Sequence, residues 1–324
     1  MFKIINKNQI ETHNKKYINN LKKDYDFFIR KVSRLKININ NIKNELMNFN
    51  IAIPSWGVET GGTRFGKFPL KGEPNNIFEK IEDCAIINDL IGITKSISLH
   101  FPWDNVEDYK ELREFTKNYG LEFDVVNSNT FEDLDNYKHS YKFGSLTHTN
   151  KNVRDEAIKL NIDCIKKGIK LGSKALTVWI PDGTNYPGQQ DFSKSLDRYI
   201  ESMKKIYAKL PSNWKIFIEH KPFEPAFYST VINDWGSSYY CAKTLGEKAL
   251  CLIDLGHHLP NTNIEMIVSR LIDLKKLGGF HFNDSKYGDD DLDSGSINPF
   301  MLFLIFNELT SAKQKKHLNS ISYM

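Results

Sequence analysis

The stretch Lys215-Ile-Phe-Ile-Glu-His-Lys221, followed some thirty residues later by Leu250-Cys-Leu-Ile-Asp-Leu-Gly-His-His258, decides the fold. Each carries a short apolar run, 216–218 and 250–253, and ends abruptly in carboxylates, imidazoles or an ammonium group. A short apolar run bounded by polar residues is the pattern of a buried parallel strand. The polar ending is where such a strand leaves the sheet. Five further short β-branched or apolar runs lie at 51–55, 96–101, 121–126, 174–180 and 279–283. Helical patterns separate them at 76–91, 106–118, 154–171, 196–210, 226–245 and 264–276, and 299–309 follows the last. Strand alternating with crossover helix predicts a parallel α/β sheet, and seven such units predict a TIM (β/α)8 barrel. A doubly wound sheet is the alternative, but no glycine-rich phosphate loop follows the first run.

The flanks fit the same plan. Residues 1–50 are polar, with Tyr17, Leu21, Tyr25 and Phe28 at helical spacing, and read as an N-terminal helical extension to a barrel over 51–324. Asn319-Ser-Ile-Ser-Tyr-Met324 begins an eighth strand, so the eighth strand and helix are expected to be incomplete. A length of 324 residues suits one barrel-sized unit. The net charge of +4, spread along helices, calls for neither nucleic acid nor an anionic membrane. No stretch reaches the roughly 18–20 apolar residues of a membrane helix. The N-terminus lacks the apolar core of a signal peptide. The four cysteines form no CxxC pair and read as reduced thiols in a cytoplasmic protein.

In barrels of this type the chemistry sits at the C-terminal ends of the strands. Those ends carry Trp56, His100, Trp179, then Glu219 and Lys221, then Asp254 and His257, then His281 with Asp289, Asp290 and Asp291 downstream. A single carboxylate at a strand end is ordinarily a helix cap, and a lone histidine ordinarily a packed rim residue. Here three consecutive strands deliver carboxylates or imidazoles to one rim, and gathering anions in one place is unfavourable without a cation. The set Glu219, Asp254, His257, His281, Asp289 and Asp291 therefore reads as a metal site. Mixed carboxylate and imidazole without thiolate suits Mn²⁺, Co²⁺, Zn²⁺ or Mg²⁺, and six ligands exceed the needs of one ion shared with substrate. Trp56, Phe65, Trp103 and Trp179 offer faces for the C–H side of a sugar.

The motifs Ile218-Glu-His-Lys-Pro-Phe-Glu-Pro-Ala-Phe-Tyr-Ser-Thr230, 254–266 beginning Asp-Leu-Gly-His-His, and Gly278-Gly-Phe-His-Phe-Asn-Asp-Ser-Lys-Tyr-Gly-Asp-Asp-Asp-Leu-Asp293 strongly resemble bacterial L-rhamnose isomerases. The similarity is greatest to the broad-specificity type typified by the Pseudomonas stutzeri enzyme, within the xylose-isomerase-like barrels. It extends to Ser55-Trp-Gly-Val-Glu-Thr-Gly-Gly-Thr-Arg-Phe-Gly66, His100-Phe-Pro-Trp103 and Val178-Trp-Ile-Pro-Asp-Gly183, and so spans nearly the whole chain after residue 50. The resemblance implies a homotetrameric aldose–ketose isomerase that uses two divalent ions per subunit, Mn²⁺ foremost. It implies conversion of L-rhamnose to L-rhamnulose, and of sugars such as D-allose and D-psicose.

It also implies that Glu219, Asp254 and His281 hold a structural ion and that His257, Asp289 and Asp291 hold a catalytic one. Trp56, Phe65, His100, Trp103, Trp179 and Lys221 would line the sugar pocket, with Phe65 reaching a neighbouring subunit. His257, Lys221 and Asp289 would be catalytic. The family has a further metal-binding aspartate at the end of strand eight, which this chain does not reach, so impaired activity is expected of the chain as it stands. Two other readings are a catalytically inactive sugar- or metal-binding fragment and an endonuclease IV-like metal phosphodiesterase. The phosphodiesterase would need a third metal's ligands and a basic groove of DNA width.

Overall fold

The computed structural model describes residues 5–59, 62–63, 66–67, 70–133, 137–224, 228–315, 318 and 320–324. Eight strands run parallel in one sheet of the TIM-barrel type, their order in the sheet following their order in the chain. They are β1 (Ala52–Pro54), β2 (Ser96–Phe101), β3 (Glu122–Ser128), β4 (Ala175–Val178), β5 (Lys215–Glu219), β6 (Ala249–Asp254), β7 (Leu277–His281) and β8 (Ser322–Tyr323). The helices are α1 (Lys7–Lys15), α2 (Ile18–Ser33), α3 (Ile39–Asn48), α4 (Ile77–Ile91), α5 (Tyr109–Asn118), α6 (Lys151–Leu171), α7 (Phe192–Tyr207), α8 (Trp235–Leu245), α9 (Ile264–Asp273) and α10 (Pro299–Gln314).

The chain groups into two compact units, residues 1–97 with 114–122, and residues 98–113 with 123–324. In the first, α1 to α3 precede β1, and β1 leads directly into a 3-10 turn, Ser55–Val58. In the second, registered ladders join β4, β5, β6, β7 and β8. The expected eighth strand is present, with Ser322 opposite Gly279 and Tyr323 opposite Phe280, so β7 has a neighbour on that side.

Period-two alternation sets which side chains share a sheet face. Phe217 and Glu219 share one on β5, as do Leu250, Leu252 and Asp254 on β6. Val125, Ala175, Phe217, Leu250 and Leu252 form a buried apolar cluster. The carboxylates therefore follow, two residues on, from apolar side chains that fill this core. Gly278 makes that packing possible. A Cβ there would lie 2.8 Å from Leu250 Cβ and 2.8 Å from two ring atoms of Phe217.

Helix ends are set locally. Asn150, Asp191, Asp234, Asn263 and Asn298 cap α6 to α10 through side-chain oxygens. Such caps satisfy amides that have no partner inside the helix. The expected helix over 226–245 begins only at Trp235. Tyr228–Thr230 instead pairs antiparallel with both Phe223–Glu224 and Gly183–Thr184. The approach is close: a Cβ on Gly183 would fall 2.1 Å from the Ser229 carbonyl oxygen. Residues 226 and 227 of that expected helix lie outside the described residues. All four cysteines are buried and free. Among the described residues no helix is long and apolar enough to cross a membrane.

Gly278→Val should overpack the cluster and cost on the order of 1–3 kcal/mol. A lowered urea midpoint with unchanged slope is the expected result, and a midpoint equal to the parent chain's would contradict this account of the glycine.

Candidate functional site

Glu219, Asp254 and His281 are the last residues of three adjacent strands, β5, β6 and β7. Register brings Asp254 opposite His281 and Leu252 opposite Glu219. Ligand atoms of Glu219, Asp254 and His257, all buried, lie within 4.8 Å of one another. His257 Nδ1 is 3.1 Å from Glu219 Oε1 and 3.7 Å from Asp254 Oδ2. His281 Nδ1 stands 3.4 Å from each of the same two oxygens. The other nitrogen of His257, Nε2, lies 3.0 Å from Asp289 Oδ1. His257 thus stands between the two ligand groups that the sequence resemblance separates.

Asp254 divides its two oxygens between tasks. Oδ1 accepts hydrogen bonds from the backbone amides of Gly256 (2.9 Å) and His257 (3.1 Å) and from Asn283 Nδ2 (3.0 Å). Oδ2 is left facing the two imidazoles. Downstream of β7, Asp289 and Asp291 sit in the left-handed region, at φ 61° and 49°. That conformation is unfavourable for a side chain with a Cβ and needs support from its surroundings. Asp290, between them, accepts hydrogen bonds from the amides of Lys286 and Tyr287 and from the Ser285 hydroxyl. Asp284, buried, accepts from the amides of Ile297 and Asn298. Two members of the acidic run face the site or Asn283, and the middle one holds the loop.

The electrostatics explain how these carboxylates coexist. Burial favours the neutral form of Glu219, yet His281 and His257 outweigh it and hold the carboxyl well below its usual range. Burial likewise opposes charge on His281, but Glu219 and Asp254 raise its pKa to about 10. His257 is raised well above the ordinary imidazole value, with burial overcome by Asp254, Asp289 and Glu219. Asp289 is lowered to about 2, against burial, by His257 and Lys221. Asp291 is raised to about 6 by burial and by the charges of Asp254 and Asp289. Two ring protons and the Lys221 ammonium therefore balance the carboxylates. A divalent cation would be held by the same carboxylate oxygens and imidazole nitrogens. The donor chemistry fits a metal ion of carboxylate and imidazole preference.

An aromatic wall flanks this cluster. His100 stacks on Trp103 with centroids 4.3 Å apart, Trp103 meets Phe131 edge-on at 5.8 Å, and Phe131 meets Trp179 at 4.7 Å. Trp179 in turn lies 6.4 Å from the His257 ring. Lys221, only 2% exposed, holds its ammonium 5.0 Å from the Trp179 centroid, 3.6 Å from Glu224 and in direct contact with Asp289. The segment after β4 is pinned by Asp182, which accepts from the amide and hydroxyl of both Ser145 and Thr147.

The structure thus assembles Glu219, Asp254, His257, His281, Asp289, Lys221, Trp179, Trp103 and His100, and joins Asp291 through Asn283 Nδ2 at 3.0 Å. Trp56 lies in the turn after β1, within the first unit. Phe65 lies outside the described residues. Phe131, Asn283 and Glu224 are additions that sequence reasoning missed. Phe131 follows the end of β3 and could have been found by the same strand-end rule. Asn283 and Glu224 stood inside the quoted motifs but carried no ligand signal of their own.

Comparison with known proteins agrees with this geometry. Residues 90–308 match the model of the xylose isomerase-like TIM barrel. A probable sugar isomerase of Rhizobium meliloti (strain 1021) is 57% identical over 295 residues, covering 91% of this chain and 69% of the relative. Another, from Mesorhizobium japonicum, is 56% identical over 310 residues, covering 96% and 72%. Among solved structures, the apo form of 3-keto-D-glucoside 4-epimerase from E. coli superposes with a TM-score of 0.57 at 13% identity, covering 86% of this chain and 92% of that one, a likeness of fold alone. With a family match across most of its length and relatives above one-half identity, the chain belongs to the xylose isomerase-like TIM-barrel family.

Proposed function

We propose that this chain is a sugar isomerase that interconverts an aldose and a ketose, with L-rhamnose and L-rhamnulose as the first pair to test and D-allose and D-psicose as further substrates. The observation that carries the reading is the buried Glu219, Asp254 and His257 triad with Lys221 and an aromatic wall beside it. The names of the two sugar isomerase relatives support the reaction class. The motif resemblance supports the choice of L-rhamnose, the pocket roles of Trp56 and Phe65 and a homotetramer, and the unpaired cysteines support a cytoplasmic location.

Glu219, Asp254 and His281 would hold one divalent ion, and His257, Asp289 and Asp291 a second, with Mn²⁺ the first choice and Co²⁺, Zn²⁺ or Mg²⁺ alternatives. A bound ion supplies Lewis acidity toward the oxygens on C1 and C2 of an open-chain sugar. The protein supplies the rest. Trp103, Phe131 and Trp179 receive the C–H face of the sugar and exclude water. Lys221 Nζ donates to a sugar oxygen on which negative charge develops as hydrogen moves between C1 and C2. Its burial strengthens that interaction, because little water competes for the charge. Asp289 stays ionised between Lys221 and His257, and so holds both of these groups in place beside the sugar.

Incubation with L-rhamnose, D-allose and Mn²⁺, with products resolved by chromatography, should yield the matching ketoses. Absence of conversion of any aldose, with metal bound, would sink the reading. Lys221→Met should lower kcat/KM by roughly 10²–10³-fold, the usual cost of one lost donor to developing charge, with little change in Mn²⁺ affinity. Metal binding should also release protons, because His281 and His257 hold their ring protons in the metal-free chain. Mn²⁺ affinity is therefore expected to climb from pH 6 to pH 8, well below the His281 pKa of about 10. Calorimetric titrations in buffers of different ionisation enthalpy would expose the released protons, and a pH-independent affinity would contradict this picture.

A further inference from the structure

Asn283 follows His281 by two residues, yet its side chain reaches into both halves of the carboxylate cluster. Its Nδ2 lies 3.0 Å from Asp254 Oδ1 and 3.0 Å from Asp291 Oδ1. Its Oδ1 accepts the Gly256 amide at 2.7 Å. One amide group therefore meets the end of β6, the turn that carries His257, and the loop that carries Asp289 and Asp291. An amide suits this position because the two atoms it meets through Nδ2 are both carboxylate oxygens, which only accept, while the backbone N–H at its other end only donates. Asparagine offers both functions within one short side chain.

The bonds also decide which oxygens stay available. Asp254 Oδ1 is satisfied by Asn283 and two backbone amides, which leaves Oδ2 toward His257 and His281. Asp291, left-handed at φ 49°, lies ten residues after the last residue of β7, His281, and directly before Leu292, which forms an isolated bridge with Asp284. The Asn283 contact fixes the orientation of its carboxylate from the side of β7.

We propose that Asn283 is a positioning residue that couples the two metal-holding groups, orienting Asp254 and Asp291 so that each presents an oxygen to its own ion. The inference rests on the metal-holding reading above. Partners that orient ligating side chains typically contribute 10–100-fold to metal affinity.

The test titrates Mn²⁺ alone, without sugar, into the whole chain by calorimetry. Asn283→Leu, close to asparagine in shape, and Asn283→Ala should each weaken Mn²⁺ binding 10–100-fold while leaving the metal-free melting temperature within the range of neutral surface variants. In an Asp291→Ala background the same Asn283 substitutions should weaken binding by much less, because the partner is already gone. Unchanged Mn²⁺ affinity, an equal loss in both backgrounds, or failure of both variants to fold would each overturn the proposal. Glu219→Gln separates the two readings. If the parent chain binds Mn²⁺ and Glu219→Gln does not, the metal site stands whatever Asn283 does. If neither binds, the metal reading itself has failed.

Discussion

Glu219 Oε1 and Asp254 Oδ2 are buried oxygens that face the same two imidazole nitrogens, and much of the second unit serves to keep them there. Buried carboxylates in one place repel, and burial penalises each of them separately. The charged forms of His257 and His281, which their carboxylate neighbours favour, offset that repulsion, as does Lys221 against Asp289. The strands that deliver these groups must be rigid, because a shift of even one residue in register would turn the carboxylates to the opposite face. The apolar cluster of Phe217, Leu250 and Leu252 two positions earlier supplies that rigidity.

The site is asymmetric in how it is built. Glu219, Asp254 and His281 project from strands and are positioned by the sheet ladder. Asp289 and Asp291 project from a loop and depend on hydrogen bonds made by Asp284, Asp290 and Asn283. A strand-borne ligand set is more precise than a loop-borne one, and the loop makes up the difference with carboxylates, Asp284 and Asp290, that accept backbone amides. The aromatic wall follows the same logic, since Trp103 and Phe131 sit on segments after β2 and β3, while Asp182 ties down the segment after Trp179.

Much of this could be read along the chain. The bounds expected for β2 match those observed, because a short run rich in apolar and β-forming residues between polar segments marks a strand locally. The polar ends of β5, β6 and β7 marked Glu219, Asp254 and His281 for the same reason. The helix expected to begin near residue 226 failed because Tyr228–Thr230 finds its partner at Gly183–Thr184, some forty-five residues earlier, and no local pattern reports that pairing. The run Asp289–Asp291 looked uniform, yet its middle residue bonds the loop backbone and not the site. Only the positive φ angles on either side separate the roles.

The amino-acid sequence by itself determined the class of fold, the rim on which the chemistry lies and the set of groups that converge there. Strand burial and the period of two are local properties, and they write themselves into the order of residues. Tertiary structure alone decided that His257 stands between Glu219 and Asp289, that Asp254 keeps one oxygen for the backbone and one for the site, and that Asn283 bridges it to Asp291. Those outcomes depend on distances and hydrogen-bond directions between segments far apart in the chain. No periodicity records them.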